Sequence, residues 1–257
     1  MEPSVQIALL LSFLAGSATM VGGLLAFVIK KKNLEVLALG LGFSAGVMLY
    51  VSFTELLPQS SVSLQKMYGA SAGSWVSSGI FFVGILVAWL IDICLPSHHV
   101  ETHTLDPQAS LKRLGLFTAF ALAIHNFPEG LATFMATLQT PSLGISVAVA
   151  VAIHNIPEGV AVALPVYHAT NNRWKAFSYS ALSGLAEPAG ALLGFWLLQQ
   201  FLHEAIFGIM FAFVGGIMVY ISLDELLPTA HEYGEGHRVI VGVICGMAVM
   251  AISLLIF

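Results

Sequence analysis

Two short strings combine histidine, asparagine, proline and glutamate inside the most apolar stretches of the chain. Residues 123–130 read AIHNFPEG and residues 152–159 read AIHNIPEG, with seven of eight letters shared across 29 positions. Read as helices, His125 and Glu129 stand four residues apart and Asn126 and Glu129 three apart, so all three project from one face. His154, Asn155 and Glu158 repeat the arrangement, and Glu187 in SGLAEPAG adds a third carboxylate. Imidazole, carboxylate and amide oxygen suit zinc, iron(II), manganese or cobalt. The absence of thiolate from the set argues against copper(I).

The surroundings sharpen that chemistry. An ionised side chain in the middle of a membrane span costs at least ~2.5–3.5 kcal/mol, and no lysine or arginine occurs between residues 114 and 172. The missing positive charge is most economically a divalent metal. Three carboxylates match one to two such ions, so a two-metal cluster fits, with Glu129 and Glu158 bridging. His125 and His154 then favour one position, and Asn126, Asn155 and Glu187 the other. Pro128, Pro157 and Pro188 carry no N–H, which leaves the carbonyls of Ile124, Ile153 and Gly184 without helical partners and predicts a kink at each. Inside a bilayer, freed carbonyls persist only where protein, water or an ion satisfies them. The competing reading is that these polar groups join helices by interhelical hydrogen bonds.

These residues need elements that can hold them in lipid. The chain is 58% hydrophobic and only 9% charged, against roughly 25% charged in a soluble domain. A spanning helix takes about 20 apolar residues. Eight segments reach that length, near 5–29, 34–57, 74–95, 116–137, 142–167, 176–199, 205–227 and 239–257. The expectation is an all-α integral membrane bundle, a single transmembrane domain over 1–257, with no room for a soluble domain and nothing that suits nucleic acid. Basic residues collect on the cytoplasmic side. Lys30, Lys31, Lys32, Lys112, Arg113, Arg173, Lys175 and Arg238 fall on one side and Lys66 on the other, which places both termini outside the cytoplasm. The Lys triplet follows the first apolar run instead of preceding it, the reverse of a signal peptide, so that run is expected to stay. Cys94 and Cys245, near cytoplasmic span ends, read as packing residues.

A second repeat sets the architecture. GFSAGVMLYVSFTELLP at 42–58 and AFVGGIMVYISLDELLP at 212–228 agree at nine of 17 positions with a constant offset of 170. These are the second and seventh spans, which cross the membrane in opposite directions, as do the fourth and fifth. Spans 1–3 and 6–8 therefore read as inverted copies around spans 4 and 5, a 3+2+3 arrangement. Inverted repeats with a site at their interface are characteristic of secondary transporters working by alternating access.

At these residues the sequence resembles the ZIP family of divalent-metal transporters, and in particular its bacterial zinc-transporting branch. The resemblance covers nearly the whole chain: eight spans, outer termini, His-Asn-x-Pro-Glu-Gly on spans four and five, and the glutamate of span six. It implies uptake into the cytoplasm across the bacterial inner membrane through a binuclear site in spans four to six, and dimers in many members. It assigns ligand roles to His125, Asn126, Glu129, His154, Asn155, Glu158 and Glu187. Its metal range is broad, with zinc beside iron, manganese, cobalt and cadmium as substrates, and it implies movement of spans 1, 4, 5 and 6 against the rest. Span five carries HNIPEG and not the His-Glu-x-Pro-His-Glu of another branch, so that branch's selectivity is not carried over.

Other residues keep two readings each. Glu55 and Glu225 close spans two and seven just before a proline, where the helix dipole disfavours a carboxylate. They are ports for cations at the outer and inner mouths, or solvated helix ends. Ser44 and Met48 line the route on span two or pack in the core. His98, His99, Glu101 and His103 form a cytoplasmic metal-sensing loop or an ordinary flexible one. His231 and Glu232 offer an exit site or a plain surface. Two other functions stay in view. A membrane-embedded metal-dependent hydrolase would use the metal to activate water, but His-Glu-x-x-His is absent. A passive channel conflicts with tight chelation, since conduction needs weak or multiple sites.

Overall fold

The computed structural model describes residues 3–25, 27, 34–94, 123, 126–198 and 204–256. All regular structure among them is helical. The helices are α1 (Pro3–Leu25), α2 (Leu34–Val51), α3 (Leu57–Tyr68), α4 (Ala70–Cys94), α5 (126–139) and α6 (Pro141–Thr170). They continue with α7 (Arg173–Gly184), α8 (Ala186–Leu198), α9 (Glu204–Ile221), α10 (Leu227–Tyr233) and α11 (Gly236–Ile256). Six stretches among the described residues are long and apolar enough to cross a membrane: 4–25, 35–68, 70–93, 141–164, 205–233 and 236–256. Of the other two expected spans, the fourth is described chiefly from residue 126 onward, and the sixth is built from α7 and α8.

The prolines act unequally. At Pro188 the helix breaks: Leu185 separates α7 from α8, and Ala189 N–H reaches back to the Leu185 carbonyl at 3.2 Å. At Pro157 the expected kink gives no interruption, and α6 runs unbroken from Pro141 to Thr170. The prolines after Glu55 and Glu225 do not end their helices either. A π-helical turn, Ser52–Leu56, carries α2 into α3, and its counterpart, Ser222–Leu226, carries α9 into α10. In each, the last N–H before the proline (Leu57, Leu227) bonds a carbonyl five residues back (Ser52, Ser222), and the wider turn takes up the imino residue that an α-turn rejects. The helix-end placement of Glu55 and Glu225 is thereby corrected: both sit inside continuous helical stretches. The second span accordingly reaches Tyr68 and the seventh Tyr233.

The matched sequences pack in matched ways. A Cβ on Gly46 would fall on the carbonyl oxygen of Val243, and one on Gly246 on that of Phe43. A Cβ on Gly216 would fall on the carbonyl oxygen of Phe81, and one on Gly84 on that of Phe213. Phe43 and Gly46 stand 170 residues before Phe213 and Gly216, while Phe81 and Gly84 stand 162 before Val243 and Gly246. The α2–α11 crossing and the α9–α4 crossing thus use one set of backbone contacts twice. Such approaches suit a bilayer, where close van der Waals packing replaces the hydrophobic drive.

Two groups of helices emerge. In the first, α1 lies against α6, α7 and α8, and α5 joins through Gly130 on Glu187 and Gly190 on Phe127. In the second, α2 packs on α10 and α11, and α4 on α3 and α9. They meet where α6 lies against α2 and α11. Cys245, expected to pack, is a free thiol on the exposed face of α11.

Candidate metal centre

The polar residues of α5, α6 and α8 converge inside the first group. Asn126, Glu129, His154, Asn155, Glu158 and Glu187 are all fully buried. Within this set, one ligand atom each from Glu129, His154 and Glu158 lies within 4.8 Å of the others. Helical spacing brings His154 and Glu158 to one face of α6, and the facing turn of α5 supplies Glu129. On the other side Asn155 donates through Nδ2 to Glu187 and to the Ala15 carbonyl at 3.0 Å. Asn126 donates to the Ser183 carbonyl at 3.2 Å, in the last turn before the α7–α8 break.

The histidine is oriented by its own helix. Nδ1 of His154 lies 3.0 Å from the Ala150 carbonyl, which only accepts, so Nδ1 carries a proton. In the neutral ring Nε2 then offers a lone pair, and it faces Glu129 Oε1 at 3.2 Å. Two acceptors face each other, and either a second ring proton or a cation shared by both atoms resolves the contact. Two ligands bound at 2.0–2.1 Å to one tetrahedral zinc lie about 3.3 Å apart, so the spacing fits a shared ion. A backbone carbonyl fixing the far nitrogen is the usual outer support of a metal-binding histidine.

The remaining lone pairs point the same way. Asn126 Oδ1, Asn155 Oδ1, Glu129 Oε2, both carboxylate oxygens of Glu158 and Glu187 Oε2 are buried without a hydrogen-bond partner. Buried polar atoms are seldom left unpaired, and among these residues Glu129 and Glu158 lie together with His154, and Asn155 with Glu187. A divalent cation is the species that satisfies several acceptors and carboxylate charge together. Donors on the neighbouring helix fix the frame: Ser12 bonds the Gly130 carbonyl at 3.2 Å, and Ser180 bonds the Thr19 carbonyl at 2.7 Å.

The other sequence candidates scatter. His125, His98, His99, Glu101 and His103 lie outside the described residues. Glu225 is half-buried in its π-turn. Glu55, in the matching turn, accepts a hydrogen bond from Gln59 at 3.2 Å. His231 and Glu232 are exposed, with His231 Nδ1 2.7 Å from the Leu227 carbonyl. Met48 is buried in the apolar core. Ser44 is buried too, and its hydroxyl is bonded to the His154 carbonyl. The sequence reading missed the contacts of Asn155 with α1 and of Ser44 with α6, because spacing along one helix carries no information about which neighbour it meets.

The model of the ZIP zinc transporter family matches residues 94–254. Among curated proteins, the zinc transporter ZupT of Chlorobium luteolum is 56% identical over 260 residues, covering 98% of each chain. The ZupT proteins of Streptococcus mutans and Oceanobacillus iheyensis are each 52% identical, covering 97% and 98% of both chains respectively. Long apolar helices, a buried His–carboxylate cluster and near full-length relatedness agree: this chain is a multi-pass bacterial membrane protein that belongs to the ZIP zinc transporter family.

Proposed function

We propose that this protein takes divalent transition-metal ions, zinc foremost, into the cytoplasm through the cluster buried among α1, α5, α6 and α8. The observation that carries this reading is the contact of His154 Nε2 with Glu129 Oε1 at 3.2 Å, beside two unpaired oxygens of Glu158. The names of the relatives favour zinc. Iron(II), manganese, cobalt and cadmium enter as further substrates through the mixed nitrogen and oxygen ligand set. Glu129 and Glu158 serve both positions of a binuclear site, His125 and His154 complete one, and Asn126, Asn155 and Glu187 complete the other.

The chain forms a single transporter domain of eight crossings with both termini outside the cytoplasm, and it works by alternating access as a 3+2+3 inverted repeat, in dimers. The doubled glycine crossings and the doubled π-turns support the repeat. Glu55 and Glu225 act as cation ports at the outer and inner mouths respectively.

Radioactive zinc, iron and manganese uptake into proteoliposomes tests the reading. Glu158→Ala is expected to lose more than the roughly 10–100-fold that loss of a metal's outer partner costs. Undiminished uptake of every metal by that variant overturns the site.

A further inference from the structure

The polar links around the cluster stay almost wholly within the first helix group. Ser12 meets α5, Asn155 meets α1 and α8, Asn126 and Ser180 join α5 and α1 to α7. Ser44 is different, because it belongs to α2 in the second group. Its Oγ donates to the His154 carbonyl at 2.9 Å, both residues being fully buried. One turn earlier on the same face of α2, a Cβ on Gly40 would come 3.2 Å from Pro157 Cβ. Positions 40 and 44 of α2 thus meet 157 and 154 of α6, so the two helices run antiparallel with little between them at this seam.

Three features make this bond a reversible one. A carbonyl has two lone pairs, and the His154 carbonyl already faces the Glu158 N–H within its own helix. Losing Ser44 therefore leaves the acceptor partnered. The serine also has another acceptor in reach, the carbonyl four residues back in its own helix. Serines of this chain take that option repeatedly: Ser52 bonds Met48, Ser222 bonds Met218 and Ser178 bonds Trp174, at 2.7, 2.7 and 2.8 Å. For Ser44 the equivalent acceptor is the carbonyl of Gly40. At the seam itself, Gly40 contributes no side chain against Pro157.

We propose that Ser44 is a positioning residue that latches the two helix groups in one relative position, its hydroxyl turning between the His154 and Gly40 carbonyls. The latch rests on the transport reading above, since it needs the groups to move. Its landing point matters, because the carbonyl it holds belongs to a residue of the metal cluster, so group position and cluster position are set together. A hydrogen bond inside a membrane is worth about threefold on average, and the Gly40 alternative, a back-bond that strains its own helix, returns only part of it, so the shift is about two- to threefold.

The test uses the full-length protein in nanodiscs without metal, with Cys94 and Cys245 replaced by alanine and spin labels at Leu182 on α7 and Ile244 on α11. Ser44→Ala is expected to change the ratio of the interlabel distance populations at least twofold. Ser44→Thr, which keeps the hydroxyl, is expected to match the parent. Ser77→Ala, which removes the partner of Ser60 within the second group, is expected to leave the ratio unmoved. In zinc uptake, Ser44→Ala should alter Vmax about two- to threefold with KM held. The latch is overturned by a Ser44→Ala distribution that coincides with the parent. It is also overturned if Ser44→Thr shifts as far as Ser44→Ala, or if KM rises with Vmax unchanged. The distances are read without metal, so unimpaired uptake by Glu158→Ala would remove the transport site and leave the latch measurement standing.

Discussion

Both helix groups rest on close backbone approach at glycines, but their polar links differ. In the site-bearing group, side-chain donors from α1, α5, α6 and α7 reach backbone carbonyls of neighbouring helices. In the other, side chains link to side chains, as Ser60 with Ser77 and Tyr220 with Asp92, while glycines let backbones touch in both groups, at the α1–α6 crossing as at α2–α11 and α4–α9. The difference follows from what each must hold. A cluster of carboxylates, amides and imidazole in lipid needs polar neighbours to orient it, and a broken helix such as α7–α8 needs partners for its freed groups. A scaffold has no such demand, and close backbone approach is the strongest packing that lipid leaves available.

The largest expected effect falls on the first group. His154→Ala removes the only imidazole of the described cluster and should lower zinc uptake by at least the roughly 10–100-fold of an outer-partner loss. Manganese uptake should fall less, because imidazole suits zinc and oxygen ligands suit manganese. Parallel uptake titrations of the two metals measure this, and equal losses would count against the assignment of the histidine to one metal position.

The next effect falls on the scaffold and tests its doubling. Gly46→Val and Gly216→Val both force side chains into opposing backbone, where overpacking costs typically about 1–3 kcal/mol and occasionally more. The contacts are matched, so the two variants should lower the melting temperature in detergent by similar amounts. A large loss at one and none at the other would show that the repeated sequence does not carry a repeated load. Smaller still is Ser12→Ala in the first group. Membrane hydrogen bonds average about 0.6 kcal/mol, so this variant should melt within a few degrees of the parent.

Much of the site was legible from spacing. His154 and Glu158 share a helical face because four residues separate them, and Glu129 was found by the same rule. The repeat at 170 also anticipated that two places would look alike. The sequence misled where one residue has two structural outcomes. Proline after ELL reads as a helix stop, yet at Pro58 and Pro228 a π-turn carries the helix on, while Pro188 follows a true break. Residue types do not distinguish these cases, because the outcome depends on whether neighbouring helices can accept a wider turn. Ser44 was legible as a polar residue on an apolar helix, but its partner was not, since the α2–α6 seam is a matter of tertiary packing.

The smallest effect concerns a feature of the scaffold that the repeat does not double. Arg238 on α11 pairs with Glu35 on α2, both about half exposed, across the same crossing that Gly46 and Gly246 close. At the matching positions of the other copy stand Ala205 and Val76, which cannot pair. Exposed pairs contribute about 0–1 kcal/mol and are screened by salt. If backbone approach carries the scaffold, Arg238→Ala should shift the melting temperature by no more than about a degree or two, and 1 M salt should erase even that. If the ion pair does the holding instead, Arg238→Ala will rival Gly46→Val. The α2–α11 crossing would then owe its stability to a charge pair that the α4–α9 crossing lacks, and the two would be alike in sequence only.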